Sequence, residues 1–153
     1  MLQKKRFRLR YGGILISDST ENKILVVAEE SDCRFFLSNL LHGVGLETVA
    51  ASNMTEGLKI AAEKKPILII LDVMMSNKKG IKMYHHLKHD ARLRNIPVIV
   101  LSAIDRETFY LYNKFESAQR EKSVPAPEAY LEKPVEAEEL IRQVTTLIST
   151  RVG

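Results

Sequence analysis

Residues 67–72 read ILIILD, five consecutive apolar residues that end at a single aspartate, Asp72. A short apolar run without polar alternation is typical of a strand that is buried on both faces of a parallel sheet. Four other short, mainly apolar runs predict further strands: residues 24–27, 48–51, 98–101 and 129–131. We therefore expect five parallel strands, with Asp72 at the carboxyl end of the third.

The segments between and after these strands carry apolar residues at helical spacing, which predicts five helices. We expect them at Asp32 to Leu41, after an N-cap at Thr55, at Gly80 to Lys88, at Asp105 to about Ala118 and at Glu136 to about Ser149. Strands that alternate with helices predict an α/β fold, a doubly wound five-stranded parallel sheet with helices on both faces.

Residues 1–22 differ from the rest of the chain. Five basic against two acidic side chains give this segment +3 of the chain's net charge of +4. Alternating basic and apolar residues before Gly12-Gly13 predict a hairpin or a flexible segment. We therefore divide the chain into a basic extension and a body of residues 23–150, and we expect no specific nucleic-acid binding. Nucleic-acid association through residues 4–10 stays open as an alternative function.

The composition bounds where the protein works. The chain has one cysteine, Cys33, which excludes an internal disulfide framework and favours a reducing, cytoplasmic location. Helical spacing places Cys33 on the inward side of the first helix, where it is expected to be part of the core. No apolar run approaches the length of a membrane-spanning helix, so we expect no membrane partner.

The carboxyl ends of the predicted strands bring polar side chains to one edge of the sheet, where ligands bind in such folds. Glu29 follows the first strand, Asp72 the third, Ser102 the fourth and Lys133 the fifth. A carboxylate can attack a phosphoryl group, while a lysine and a hydroxyl stabilise the transferred group. Two carboxylates also suit Mg²⁺. This edge therefore favours phosphoryl chemistry on Asp72.

Four segments at these strand ends resemble landmark segments of a known family. They are KILVVAEE at residues 23–30, IILDVMM at 69–75, IPVIVLSA at 96–103 and YLEKP at 130–134. In this order they resemble the receiver domains of two-component response regulators, and the resemblance covers residues 23 to about 150. It implies a flavodoxin-like sheet of the receiver type.

The resemblance implies a role for each residue at the site. Asp72 corresponds to the phosphoacceptor, which takes its phosphoryl group from the phosphohistidine of a histidine kinase or phosphotransfer protein. Lys133 corresponds to the residue that contacts the phosphoryl group, and Ser102 to the hydroxyl that moves to bind it. Tyr130 matches an aromatic position whose rotamer reports the switch, and Lys133-Pro134 matches a peptide bond that is usually cis.

The sequence departs from the family pattern at the metal site. The family usually has two acidic residues after the first strand, whereas this chain has Ala28 and then Glu29. The metal ligands implied are Glu29, Asp72 and the backbone carbonyl of Met74, and we expect a weakened Mg²⁺ site because Ala28 has no oxygen to offer. Met74 and Ile104 correspond to positions that flank the phosphoryl group and govern the entry of water.

Three histidines and an aromatic segment also stand out in the sequence, and neither is assigned to the site at the sheet edge. His85, His86 and His89 are expected to be solvated, and without a completing Cys or carboxylate they predict no zinc site. The segment 105–128 is long and rich in aromatic residues, which predict either a remodelled core or a surface for a partner or a homodimer. The aromatic residues are Phe109, Tyr110, Tyr112 and Phe115.

These observations favour a receiver without an output domain, which is not an enzyme and signals by changing what it binds. One alternative is a pseudo-receiver, a protein-interaction module that works without phosphorylation. Another is a phosphatase or hydrolase that uses Asp72, although no positioned base accompanies it. The downstream protein partner is not indicated by the sequence.

Overall fold

The computed structural model describes residues 7–11, 14–17, 23–120 and 124–152. The strands are β1 Phe7–Tyr11, β2 Ile14–Ser17, β3 Lys23–Val27, β4 Glu47–Ala51, β5 Leu68–Asp72, β6 Val98–Ser102 and β7 Ala129–Glu132. The helices are α1 Ser31–Gly43, α2 Met54–Lys64, α3 Lys79–His89, α4 Arg106–Arg120 and α5 Ala137–Val152, with a 3₁₀ turn at Ser76–Lys78.

Strands β3 to β7 form one parallel sheet in the order β4-β3-β5-β6-β7. The strand order reverses beside β3, and this switch point places the ligand edge next to the ends of β3 and β5. The expected doubly wound α/β fold is confirmed. β1 and β2 pair with each other in an antiparallel hairpin. The division at residue 22 into an extension and a body stays a prediction.

The sheet separates two hydrophobic cores. Alternate residues of β5 point to opposite faces, so that Ile69 and Leu71 join one core while Leu68 and Ile70 join the other. Helices α2, α3 and α4 cover the first face, and α1 and α5 cover the second. Every residue of β5 is buried, which is why this strand has no polar residue before Asp72. None of the helices in the described parts of the chain is long and apolar enough to cross a membrane.

The start of α2 corrects the predicted cap at Thr55. Helix α2 begins at Met54, and the Asn53 side chain caps it by accepting a 2.8 Å hydrogen bond from the backbone N–H of Glu56. The Glu56 carboxylate reaches back to the N–H of Ser52 at 3.0 Å. Asparagine three residues before a glutamate makes this reciprocal capping arrangement, and it outcompetes the threonine inside the first turn.

The expected solvation of His85 is wrong. His85 is 2% exposed, and its Nε2 lies 2.9 Å from Oδ1 of Asn113 in α4. Helix α4 covers this part of α3, so His85 is polar in the sequence but internal in the fold. His86 and His89 are exposed.

The aromatic residues of α4 divide between the two alternatives for the segment 105–128. Phe109 is buried, and its ring centroid lies 5.1 Å from that of Tyr130. Tyr110 and Phe115 are exposed, and Tyr112 is half-buried. The segment therefore contributes to the core and also presents apolar surface.

Candidate functional site

Asp72 ends β5 in a buried position and forms an ion pair with Lys133. The Asp72 Oδ2 atom lies 2.7 Å from the Lys133 Nζ atom, and Oδ1 accepts a 2.9 Å hydrogen bond from the backbone N–H of Met74. Burial alone would lower the pKa of Lys133, but the hydrogen bond and charge of Asp72 raise it above its ordinary value. The contact with Asp72 therefore favours the charged form of Lys133.

The neighbouring strand ends bring Lys133 and Ser102 to this edge. The backbone N–H of Lys133 donates to the Ser102 carbonyl at 2.8 Å, which continues the β6–β7 ladder by one residue. The Ser102 hydroxyl is fully buried, accepts from the N–H of Ile104 at 3.1 Å and donates to the sulfur of Met74 at 3.5 Å. These hydrogen bonds and the Asp72–Lys133 pair bring Asp72, Ser102, Lys133, Met74 and Ile104 to one edge of the sheet.

Tyr130 lies with its ring inward and is held from its hydroxyl end. The hydroxyl donates to the carbonyl of Ile104 at 2.5 Å, and burial raises the pKa of Tyr130. This hydrogen bond connects β7 to the loop between β6 and α4, the same loop that Ser102 contacts. The Lys133-Pro134 peptide bond is cis.

Glu29 contacts Ser76 in the loop that follows Asp72. Its Oε1 atom accepts hydrogen bonds from the Ser76 hydroxyl at 2.8 Å and from the Ser76 backbone N–H at 3.1 Å. The preceding residue, Ala28, is fully buried. The Arg34 guanidinium donates to the backbone carbonyls of Ala28 and Glu29 at 2.8 and 2.9 Å. Glu29 thus bridges the end of β3 to the loop that follows Asp72.

That loop, residues 73–78, is called the acceptor loop below, and it is tightly wound. Asn77 and Lys78 have φ angles of 56° and 58°, in the left-handed region that residues with a Cβ rarely adopt. Gly80 lies directly against the start of the loop, because a Cβ at that position would be 2.4 Å from the Val73 Cα. The Lys78 Nζ atom lies 5.6 Å from the ring centroid of Tyr112, so the loop also contacts α4.

The donor set does not fit a tightly held Mg²⁺ ion. Such a site needs near-ideal octahedral geometry and usually one or two carboxylates, the rest being waters and phosphate oxygens. Ala28 contributes no oxygen, Glu29 already accepts two hydrogen bonds from Ser76, and both Asp72 oxygens already accept from protein donors. Within the part of the chain that the structure describes, no three His, Cys, Asp or Glu side chains gather where they could hold a metal ion.

Cys33 borders the site from α1. It is half-buried and packs against the core on that face of the sheet, as the helical spacing predicted. Burial, followed by the negative charge of Asp72, raises the pKa of its thiol. Cys33 therefore remains a thiol at neutral pH.

Two contacts of the site lay outside the sequence analysis. Neither the Glu29–Ser76 bridge nor the Arg34 contacts to the end of β3 were expected. An arginine three residues into a helix is usually a solvated surface charge. The bridge joins residues 47 positions apart, and no local pattern indicates it. The capping preference of serine was the single available signal, since Ser76 begins the 3₁₀ turn.

Known proteins resemble the chain over most of its length. The response regulator receiver domain family matches residues 24–145. Protein PilH of Pseudomonas aeruginosa is 27% identical over 127 residues, which is 83% of this chain and 98% of that protein. The polar-differentiation response regulator DivK of Brucella anthropi is 28% identical over 127 residues, which is 82% of this chain and 96% of that protein.

A solved structure agrees with the sequence relatives. The receiver domain of the Francisella response regulator 1452 has a TM-score of 0.66 and 28% identity, covering 86% of this chain and 99% of that chain. Some matching relatives are longer, and the chain spans 51% of one regulatory protein and 9% of one histidine kinase. The family match covers the sheet, its helices and the Asp72–Lys133 edge, and the chain belongs to the response regulator receiver domain family.

Proposed function

We propose that the chain accepts a phosphoryl group on Asp72 from the phosphohistidine of a histidine kinase or phosphotransfer protein, and changes its protein partners in response. The observation that carries this proposal is the Asp72–Lys133 pair at 2.7 Å at the carboxyl end of β5. A carboxylate nucleophile and a nearby ammonium are two groups that phosphoryl transfer to an aspartate uses.

The transfer exchanges one bond for another. The P–N bond of the phosphoimidazole breaks, its electron pair stays on the imidazole, and a P–O bond forms to a carboxylate oxygen of Asp72. The Lys133 ammonium, already 2.7 Å from the carboxylate, follows the negative charge onto the phosphoryl oxygens. No general base is needed, because the carboxylate carries no proton to remove.

The output follows from the hydroxyl beside the acceptor. A phosphoryl group adds negative charge and acceptor oxygens, which favour rotation of the Ser102 hydroxyl away from Met74 and toward the phosphate. Because Ile104 donates to Ser102 and accepts from Tyr130, this rotation disturbs the loop that leads into α4. We propose that the exposed residues of α4 are the partner surface, toward a downstream protein or a second copy. These residues are Tyr110, Leu111 and Phe115.

The chain is also expected to differ from other receiver domains at its metal site. Receiver domains generally bind Mg²⁺ at their acidic pocket, and we propose a weakened site here, because Ala28 offers no oxygen and Glu29 is engaged by Ser76. We assign the chain no enzymatic activity and no specific nucleic-acid binding. The free thiol of Cys33 agrees with the cytoplasmic location we propose.

Intact-mass spectrometry tests the acceptor directly. Incubation with a small phosphoramidate donor is expected to add one phosphoryl group to the wild-type chain and none to Asp72→Asn. The amide keeps the size of the carboxylate, and its oxygen can still accept the hydrogen bond from Met74, but it loses the contact with Lys133 and is not a nucleophile. It is therefore a control matched in size. A wild-type chain that is never labelled, or an Asp72→Asn chain that is labelled equally, contradicts the proposal and favours the pseudo-receiver.

The lifetime of the phosphate provides a second test. Met74 is about half exposed, and its sulfur lies 3.5 Å from the Ser102 hydroxyl, so its apolar side chain lies beside the place of the phosphoryl group. Replacing it by asparagine brings a polar group that can orient a hydrolytic water, and we expect phosphate loss to accelerate by about tenfold, equivalent to 1.36 kcal/mol of barrier.

The measurement is the decay of the phosphorylated mass after the donor has been removed. Met74→Leu is the control, because it keeps an apolar side chain of similar volume and should decay at the wild-type rate. Equal decay rates for the asparagine and leucine variants would count against the steric role of Met74.

A further inference from the structure

We propose that Glu29 is a positioning residue that holds the acceptor loop, in place of ligating a metal ion, and that phosphoryl acceptance on Asp72 does not require Mg²⁺. The inference rests on the proposed function of Asp72 and concerns how its site is organised. The experiment below distinguishes failure of this inference from failure of the proposed function, because Asp72 can accept a phosphoryl group either with or without a requirement for Mg²⁺.

The contacts of Glu29 are those of a bridge between two elements. Its Oε1 atom accepts from both donors of Ser76, the hydroxyl at 2.8 Å and the backbone N–H at 3.1 Å. Two donors from one residue on one carboxylate oxygen fix the position of that residue more firmly than a single hydrogen bond. The Arg34 guanidinium in turn holds the backbone carbonyl of Glu29 at 2.9 Å, so the carboxylate extends from an anchored main chain.

The acceptor loop needs such an anchor. Ser76 starts the 3₁₀ turn in which Asn77 and Lys78 both adopt left-handed backbone angles. This conformation is unfavourable for residues with a Cβ and persists only where surrounding contacts impose it. The Gly80–Val73 contact closes one side of the loop, and the Glu29–Ser76 hydrogen bonds close the other.

The loop position matters for the nucleophile. The N–H of Met74 donates to Oδ1 of Asp72 at 2.9 Å, and Met74 lies two residues before the anchored Ser76. Because Ser76 is fixed by Glu29, the backbone of Met74 two residues earlier is restrained as well. The Asp72 carboxylate then keeps the orientation in which its Oδ2 atom lies 2.7 Å from the Lys133 ammonium. Glu29 thus acts on Asp72 through the acceptor loop.

The positive charge that phosphoryl transfer needs is then the protein's own. The Lys133 side chain holds its amino group 2.7 Å from the Asp72 carboxylate, so a cationic group lies beside the acceptor without any metal. In a family where acidic pairs hold Mg²⁺, this chain has an alanine methyl at one position and a carboxylate committed to Ser76 at the other. Charge neutralisation by a lysine does not depend on Mg²⁺ concentration.

Three proteins and two conditions test the inference. The rate of labelling by a phosphoramidate donor is measured by intact mass for the wild type, Glu29→Gln and Glu29→Ala, each with Mg²⁺ and with EDTA. We expect the wild type to be labelled at the same rate in both conditions. Glu29→Ala is expected to be slower by about tenfold. Glu29→Gln should recover most of the rate, because its amide oxygen accepts the same two hydrogen bonds from Ser76 while its neutral group is a poor Mg²⁺ ligand.

A different set of labelling rates would contradict the inference. Labelling that requires Mg²⁺, with Glu29→Gln as impaired as Glu29→Ala, would show that Glu29 is a metal ligand, which overturns this inference and leaves the proposed function intact. A wild type that is labelled in neither condition overturns both. If Glu29→Ala does not fold, the wild type and Glu29→Gln in the two conditions decide. The Ser76 amide chemical shift, close to wild type in Glu29→Gln, is the accompanying structural readout.

Discussion

Replacing Gly80 by alanine is expected to destabilise the protein toward the upper end of about 1–3 kcal/mol and to impair labelling of Asp72. The Cβ would lie 2.4, 2.5 and 2.6 Å from the Cα, carbonyl oxygen and carbonyl carbon of Val73. These are backbone atoms at the start of the acceptor loop, so no side chain can rotate away to relieve the overlap. The residue after Asp72 must move, and the carboxylate moves with it.

Gly43 provides the matched control. It also lies in a helix, at the end of α1, but a Cβ there would meet nothing within 4 Å. Gly43→Ala should therefore change the free energy of unfolding by less than about 1 kcal/mol and leave labelling unchanged. Urea denaturation of both variants gives the comparison. Equal stabilities would mean that the acceptor loop yields to the extra methyl group at no cost.

Removing the carboxylate of Glu128 is expected to destabilise the protein by about 3 kcal/mol. The side chain of Lys88 in α3 is 2% exposed, and its ammonium lies 3.1 Å from Oε1 of Glu128. Without Glu128, the buried ammonium keeps the carbonyls of Arg94 and Ile96, each at 3.4 Å, and the ring of Tyr84, whose centroid is 6.0 Å away. The backbone N–H of Val98 also loses its 2.8 Å acceptor. We place the cost at the lower end of the range for broken buried pairs, because Glu128 itself is 36% exposed.

The control is a more exposed ion pair, between the first residues of β3 and β4. Lys23 and Glu47 lie 3.9 Å apart with side chains 30% and 47% exposed, so Glu47→Ala should cost less than about 1 kcal/mol. A Lys88→Met, Glu128→Ala double variant should recover much of the stability lost by Glu128→Ala, because no buried charge remains. Urea denaturation measures all three variants. A Glu128→Ala loss no larger than that of Glu47→Ala would refute the assignment of a buried pair.

The strands, and the sheet edge that carries Asp72, were predictable because the sequence patterns that indicate them are local. Apolar runs identify strands from a few neighbouring residues, and in a parallel sheet the residues that follow them share an edge. Asp72, Ser102 and Lys133 could therefore be grouped before any coordinates. The predicted cap of α2 was wrong by two residues, since Thr55 and Asn53 are both good capping residues but only Asn53 stands three residues before Glu56, the spacing of a capping box.

What could not be predicted are pairings between distant elements. The Tyr84 hydroxyl donates to the Pro125 carbonyl at 2.6 Å across 41 positions, and the Lys88–Glu128 pair spans 40. Such contacts depend on how α3 faces the segment before β7, and the periodicity of α3 alone does not contain that information. Burial and the charge of Glu128 together raise the pKa of Tyr84. The segment 105–128 looked anomalous in the sequence because its anchors lie on another helix.

The two halves of the Asp72–Lys133 pair are supplied 61 residues apart, by the third and the last strand of the parallel sheet. A chain that ends before β7, because its synthesis is incomplete or because it has been cleaved, contains Asp72 but lacks Lys133. Such a chain also lacks β7, an edge strand of the sheet, and with it Tyr130, whose hydroxyl donates to the carbonyl of Ile104. On the proposed function, a partial chain that ends before β7 is expected not to accept a phosphoryl group, because its Asp72 lacks the Lys133 ammonium.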